Sequence, residues 1–586
     1  MSMIKTVSAG ETWVVEETTK LNVLTIEEGG TIAAPEGKVF AISVDGRGFE
    51  ALPGTYYGNV VVSVVDPYML PPSCIFRDTN RWTPLRAALV VRDNKIVAEE
   101  SMTAHIVSGE VTEKSAKGFA ITTIDPHFNG MIITGDSEYS IDDAFLAFEG
   151  KGDNDFEGAG AGVACYENAR VEITNSQFNF SAVTRCTVHA GGDSIVRVKN
   201  SELRNDSPHT GMRPAWCMGL DGTNRAIQLC DRASIEFDNC YLKGNGWGVI
   251  SVDGPEQTRM VLRNSKMELS GTRARGYGAF VFGDCKAVFD HCEINVNGYP
   301  VLLNTEHDGY AHFTNGTVVK APLYGMQSFR DSCGKFIVDK GSIIKSRKAC
   351  MSLKGCCTYI YIDDASLISE EDIICQLTDN DDPGVTVDHY CPPIGEVDTY
   401  IEGRDLTTAV DGNDVFVYIS NSQLKGDFLN STTALMANCR VAGGAHFDLN
   451  DDALNATMSD NLEENGDKFV EDTSTQSAKN LYIELKNASI NGVVSAATQC
   501  YREDVTRIDP SNQYEISNVF QTPAPAVNNG VILSVDKDSK WIVAGTSYLT
   551  ALDIADTGIV VAKKMTVDGV ETPIAPGSYR GQIVLE

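Results

Sequence analysis

Apolar and polar residues alternate along this chain in short bursts. Runs such as Val171-Glu172-Ile173 and Val196-Arg197-Val198 each break at a tight polar turn. Period-2 alternation over so few residues predicts half-buried strands, not helices. The turns share a signature: Asn175-Ser176-Gln177-Phe178, Asn200-Ser201-Glu202-Leu203, Asn239-Cys240-Tyr241-Leu242 and Asn264-Ser265-Lys266-Met267. The series continues through His291-Cys292-Glu293-Ile294, Asn315-Gly316-Thr317-Val318, Lys340-Gly341-Ser342-Ile343 and Asp364-Ala365-Ser366-Leu367. Successive spacings are 25, 39, 25, 27, 24, 25 and 24 residues, and later copies begin at Asn421 and Asn487. A near-constant period predicts stacked coils in place of several globular domains. Asparagine suits such a turn, because it tolerates a left-handed backbone and its amide can bond the asparagine of the next coil. Inward residues of successive coils then stack into one continuous core.

The Leu-x-x-Leu-x-Leu frame of a leucine-rich repeat is absent, and no repeat carries a helix-period segment. The expected fold is all-β, a right-handed parallel β-helix solenoid, regular over residues 120–377. On these turns and strands the chain resembles the right-handed β-helix superfamily, which holds pectate lyases, other polysaccharide lyases, glycoside hydrolases, epimerases and adhesin-like proteins. The resemblance is architectural and comes with no family-specific catalytic signature.

A second repeat brackets the chain. Trp13-Val14-Val15, Leu24-Thr25-Ile26, Val44-Asp45-Gly46 and Pro53-Gly54-Thr55-Tyr56 near one end match Trp541-Ile542-Val543, Leu552-Asp553-Ile554, Val567-Asp568-Gly569 and Pro576-Gly577-Ser578-Tyr579 near the other. Related β modules are therefore expected at residues 1–65 and 526–586, covering solenoid ends that otherwise invite edge-to-edge pairing, or joining two copies of the chain. They resemble the end modules of adhesin-like β-helix proteins. Between them, residues 66–119 read as a loop-rich approach to the solenoid, and 378–525 as its continuation with long inserts. Excursions at 66–86, 204–226, 254–277, 378–413 and 451–478 interrupt the period. Loops this long are functional or disordered.

Charge and cysteine content narrow the classes. The formal net charge of −32 argues against a broad nucleic-acid surface, which needs Lys and Arg to neutralise phosphates. No apolar run is long enough to span a membrane as a helix. The first residues lack the apolar core of a secretory signal. None of the 16 cysteines forms a CxxC pair, so zinc is not expected, and many sit within apolar strands as small hydrophobes. A reduced, cytoplasmic protein is expected, or a secreted one whose signal has been trimmed.

The candidate chemistry lies where strands of one sheet reach their ends: His189, Asp221, Asp253, Asp284, Glu306, Arg330 and Lys354. Counting back from each turn puts these on stacked neighbouring strands, about 4.8 Å apart. The run Glu306-His307-Asp308 sets two carboxylates beside an imidazole, which titrates near neutral pH. Expected catalytic residues are His307, Glu306, His189, Asp253 and Arg330. Expected substrate-binding residues are Lys354, Trp216, Arg213, Asp221, Tyr277, Asp284 and Tyr166: cations for a carboxylate or enolate, aromatic faces for a ring, phenols for proton transfer. Each has a plainer reading as a solvated charge, a turn former or core packing. Gly158-Ala159-Gly160-Ala161-Gly162 precedes a strand, not a helix, which disfavours a dinucleotide site. No cofactor is expected; the turns Asp153-Asn154-Asp155 and Asp379-Asn380-Asp381-Asp382 carry hard oxygens for calcium but lack EF-hand spacing.

The expected function is acid/base chemistry, of lyase, epimerase/isomerase or hydrolase type, on a hydroxylated ring. The resemblance implies a carbohydrate or sugar acid as substrate. Two alternatives stand beside it: a noncatalytic adhesin-like or structural β-helix, and an intracellular isomerase or lyase of a small cyclic molecule such as a polyphenol. Expected partners are the ring substrate and a second copy of the chain through the end modules, with neither nucleic acid nor membrane.

Overall fold

A computed structural model describes residues 3–71, 84–152, 155–206, 225–246, 248–254, 257–270, 276–306, 308–329, 332–379, 404–432, 479–502 and 518–586. Strands make up 60% of the described residues and helices 1%, so the all-β expectation stands. The sheets are long, mostly parallel and solenoid-like in arrangement. Two compact units divide the chain: residues 1–213 with 220–297, and residues 214–219 with 298–586.

In the first unit each asparagine turn joins two sheets. One is built from Arg170–Thr174, Ile195–Lys199, Ser234–Asp238 and Arg259–Arg263, the other from Gln177–Val183, Glu202–Asn205, Tyr241–Gly244 and Lys266–Leu269, all parallel to their neighbours. The register follows the turn spacing, with Arg170 opposite Ile195, Ile195 opposite Ser234 and Ser234 opposite Arg259. The long excursion before Arg225 therefore inserts residues without shifting the stack. Alternation decides which side chains enter the core: Val171 and Ile173 are buried while Glu172 between them is exposed.

The turn chemistry is that of a ladder. Asn175, Asn200, Asn239 and Asn264 all have φ near +50°, the left-handed region that asparagine tolerates best among non-glycine residues. The Asn200 amide donates to Asn175 Oδ1 at 3.4 Å, that of Asn239 to Asn200 Oδ1 at 2.9 Å, and that of Asn264 to Asp238 Oδ1 at 2.8 Å. Just behind runs a buried second ladder, in which Ser201 Oγ accepts from the Ser176 N–H and Ser265 Oγ from that of Cys240.

The third sheet of this unit carries the site. Its parallel strands are Arg86–Arg92, Phe128–Thr134, Val163–Cys165, Val188–Ala190, Ile227–Cys230, Gly248–Asp253 and Tyr277–Gly283, with Lys95–Ile96 antiparallel at the edge. Met131, Val163, Val188, Ile227, Ile250 and Ala279 form one column on it. The next column, on the opposite face, reads Val90, Ile132, Ala164, His189, Gln228, Ser251, Phe280. Along that face the side chains turn from apolar to polar and then aromatic.

The second unit repeats the pattern. Tyr310–Thr314, Lys335–Asp339, Tyr359–Asp363, Val415–Ser420 and Leu481–Lys486 are parallel neighbours. The ladder resumes with Asn421 on Asp363 at 2.7 Å and Asn487 on Asn421 at 2.8 Å. Lys340 and Asp364 also adopt positive φ at their turns. Tyr359 pairs directly with Phe416, and Phe416 with Tyr482, so the two longest inserts leave the stacking intact.

The two end modules match strand for strand. One holds Ile4–Val7, Thr12–Val14, Thr19–Ile26, Thr31–Ala33, Val39–Val44, Arg47–Phe49 and Gly54–Val65; the other holds Val531–Val535, Lys540–Val543, Ser547–Ile554, Ile559–Val561, Met565–Val567, Val570–Glu571 and Gly577–Leu585. In each, the third strand is parallel to the first and antiparallel to the last. In each, an aspartate at positive φ precedes a glycine, and its carboxylate accepts a backbone N–H: Asp45 from Asn59 at 3.0 Å, Asp568 from Gln582 at 2.8 Å. The copies differ at the core. Leu533 and Trp541 are both fully buried. Lys5 takes the place of Leu533 in the first copy, bonded to Glu11 at 2.7 Å and 5.4 Å from the Trp13 ring. A cation thus ends that core.

Candidate functional site

Polar residues on the outward face of the third sheet join into one buried network. A strap, Asp155–Gly162, runs across that face. Asp155 Oδ2 pairs with Arg225 Nη1 at 2.5 Å, both side chains no more than 3% exposed. Arg225 Nε donates to the Tyr277 hydroxyl at 2.9 Å, and that hydroxyl lies 3.3 Å from Ser251 Oγ. Ser251 Oγ donates to Asp253 Oδ2 at 2.6 Å, and Gln228 Nε2 reaches the same oxygen at 2.7 Å. His189 Nε2 meets the Phe156 carbonyl at 2.9 Å. The Tyr166 hydroxyl donates to the Glu157 carbonyl at 2.7 Å, and its ring lies 5.3 Å from that of His189.

Local sequence explains these positions. His189, Gln228 and Ser251 are the central, outward residues of Val188-His189-Ala190, Ile227-Gln228-Leu229 and Ile250-Ser251-Val252. Their apolar neighbours face the core, so alternation forces them to the other side. The strap lies close because it is rich in glycine. A Cβ on Gly158, whose φ is +72°, would come within 2.7 Å of both the His189 ring and the Tyr166 hydroxyl. The base of the strap is held apart from the site: Asn129 bonds the Gly158 carbonyl at 2.7 Å, and Arg185 Nε the Gly160 carbonyl at 2.9 Å. Behind it, Ala159 and Ala161 pack with Tyr68, Ile132 and Ala164.

Burial sets the electrostatics. It pushes the Asp253 carboxyl up, with Arg225 pulling the other way and Asp155 adding repulsion. It pushes the Tyr277 phenol up as well, and it pulls the His189 imidazole down towards the neutral form. Burial disfavours the Arg225 charge, but Asp155, Tyr277 and Asp253 more than restore it. Two carboxylates share one guanidinium here. That arrangement favours a proton on Asp253 and leaves a neutral histidine nearby. His189 Nδ1, Asp155 Oδ1 and Gln228 Oε1 are buried without a hydrogen-bond partner. Beside the network, the Phe280 ring lies 5.6 Å from Tyr277 and 6.0 Å from Phe282, which is 37% exposed.

Of the expected residues, His189, Asp253, Tyr277 and Tyr166 come together here, buried and not lining an open groove. Asp284 sits half-buried in the turn after Tyr277–Gly283, outside these hydrogen bonds. Glu306 and Lys354 belong to the second unit. Glu306 is exposed and Lys354 fully buried. His307, Arg330, Arg213, Trp216 and Asp221 lie outside the described residues. Asp155, Arg225, Gln228 and Ser251 were not singled out for this site from sequence. In the sequence Asp155 stands out only as part of an Asp-rich turn, whereas one of its oxygens is committed to Arg225. Among the described residues, no group of three or more His, Cys, Asp or Glu is placed to hold a metal ion, and no helix is long and apolar enough to cross a membrane.

An open groove of about 940 Å³ lies elsewhere in this unit, lined by Asn175, Asn200, Asn239, Asn264, Tyr241 and Lys266, among others. Its asparagines are engaged with one another and with Asp238 along the ladder, and its lining also includes Glu202, His291 and Glu293. The chain matches no protein-family model and no curated protein.

Proposed function

We propose that this chain is a right-handed parallel β-helix enzyme performing acid/base chemistry on a hydroxylated ring, a carbohydrate or sugar acid. The network of Arg225, Tyr277, Ser251, Asp253 and His189 is its active centre. One observation carries the reading: ionisable groups are buried together on the outward face of a sheet whose stacking needs none of them. Removing charges from water is costly unless they are paired, and perturbed acids and bases gather where chemistry is done.

The roles follow from the bonds. Asp253, its carboxyl pushed up by burial, is the proton donor. The neutral His189 imidazole, with Nδ1 free of hydrogen bonds, is the base. Tyr277 relays a proton or stabilises an oxyanion, with its phenol oriented by Arg225. The Phe280 and Phe282 rings offer a face for the substrate ring. Access requires the tip of the strap to move. That tip, residues 155–157, is bonded to Arg225, His189 and Tyr166 of the site itself, so a substrate can replace the bonds it breaks.

Screening the purified chain against sugar acids, uronate polymers and polyphenols identifies the substrate. On that substrate, Tyr277→Phe and Asp253→Asn are each expected to lower kcat at least about 100-fold with thermal midpoints near wild type. Wild-type turnover in both variants removes the proposal. A noncatalytic, adhesin-like role is the second reading, favoured by the paired end modules and the open ladder groove. Ligand binding without turnover, lost on altering groove residues such as Tyr241, supports it.

A further inference from the structure

A different cluster lies in the second unit, away from the network above in both sequence and chemistry. Lys335 is opposite Tyr359 on neighbouring coils. Counting back two residues places Cys333 opposite Cys357. The backbone agrees, with the Cys357 N–H bonding the Ser332 carbonyl at 2.8 Å and the Tyr359 N–H that of Gly334 at 3.0 Å. Equivalent residues on neighbouring strands lie about 4.8 Å apart, within the Cα separation a disulfide spans. The two thiols are hydrogen-bonded to each other.

The third member is Lys479. Its ammonium lies 3.7 Å from Cys357 Sγ. Both residues are only 5% exposed, and among the described residues Cys357 is the one hydrogen-bond partner of that ammonium. A buried cation needs a counter-charge, and a thiolate beside a lysine is the form in which cysteine becomes a nucleophile. Its hydrogen bond to Cys357, then burial, push the Cys333 thiol up, so it remains protonated and acts as donor. Cys333 is half-buried and gives the cluster an approach from solvent. Cys356, next in the chain, is fully buried and held by Thr358 and Ser328. The other internal thiols, such as Cys165 and Cys375, are pushed up by burial in apolar surroundings.

We propose that Cys357, Cys333 and Lys479 form a dithiol site that reduces small hydroperoxides, with Cys357 as the nucleophilic thiolate and Cys333 as the resolving thiol. The Cys357 thiolate attacks one peroxide oxygen and the O–O bond breaks. The other oxygen leaves with a proton from solvent as an alcohol, or as water when the oxidant is hydrogen peroxide. Cys357 is then a sulfenic acid. The Cys333 thiol condenses with it, forming the S–S bond and releasing water. Two thiols supply the two electrons that the peroxide accepts, and an external thiol returns the site to its reduced form.

The test uses the full chain. After exposure to hydrogen peroxide and alkylation of the remaining thiols, peptide mapping is expected to show one Cys333–Cys357 linkage and the loss of two free thiols. Dithiothreitol reverses both. Cys333→Ser and Cys357→Ser each abolish the linkage, and Lys479→Met slows its formation at least tenfold. Oxidation of other cysteines at the same rate as this pair overturns the proposal, as does absence of the linkage. So does a folded Lys479→Met variant that cross-links at the wild-type rate. Should Lys479→Met fail to fold, the wild-type map alone decides: linkage of this pair ahead of all others supports the site.

Discussion

At single residues, the turn asparagines combine two properties. Asn239 sits at φ +54° and donates to Asn200 at 2.9 Å. Alanine has neither the amide nor the tolerance for that backbone, so Asn239→Ala is expected to lower stability by about 1–2 kcal/mol. Glycine restores the backbone freedom but not the bond, and Asn239→Gly is expected to lose less than half as much. Urea midpoints of the two variants check the order. His105 makes a pH-dependent contribution. Its ring is fully buried, 4.3 Å from that of Phe128, and burial holds its pKa at about 4. The unfolded chain takes up this proton near pH 6.5 and the folded chain only near 4. The His105 contribution is therefore complete above about pH 6.5 and falls away as the pH drops towards 4. His189 is shifted the same way. His105→Gln is expected to flatten, without abolishing, the loss of urea resistance over that window.

Among the elements, the end modules were the most legible in sequence, because their devices are local. An Asp-Gly turn, a Gly-x-Tyr strand start and an alternating strand stand in the same order at both ends, and each device acts within a few residues of itself. Gly581 shows how tightly one is built. Its φ is +114°, and a Cβ there would come within 2.6 Å of Asp568 Oδ1, the oxygen that accepts the Gln582 N–H. Gly581→Ala is expected to cost about 2 kcal/mol or more, read as a fall in thermal midpoint. Gly58→Ala should match it in the first module, where the added Cβ would meet Asp45 at 2.6 Å. The strap was not legible. Its sequence advertises flexibility, but only the fold lays it over His189 and Tyr166. At His189 and Tyr166 the strap covers the face on which the strand-end groups are expected to line a groove.

For the molecule as a whole, the net charge of −32 is the dominant long-range term. Exposed pairs such as Arg232–Asp193 and Lys199–Glu172 are each worth at most about 1 kcal/mol, while an excess of carboxylates repels itself. Sodium chloride screens both, and the repulsion is the larger sum. The thermal midpoint is therefore expected to rise between about 0.01 and 0.5 M sodium chloride. A fall would mean that the local pairs outweigh the excess charge.

The sequence by itself determined the strand periodicity, the spacing of the turns, the ladder asparagines and the duplicated ends. All of these follow from interactions that repeat at fixed, short separations, so each copy announces the next. Only the tertiary structure decided the site. Asp155 and Arg225 are 70 residues apart in the chain and 2.5 Å apart in space, and nothing periodic links them. Likewise, the sequence offers His189 and Asp253 as strand-end groups lining a groove, whereas the fold buries both. Stacking sets which face a side chain takes, but what covers that face depends on excursions that obey no repeat.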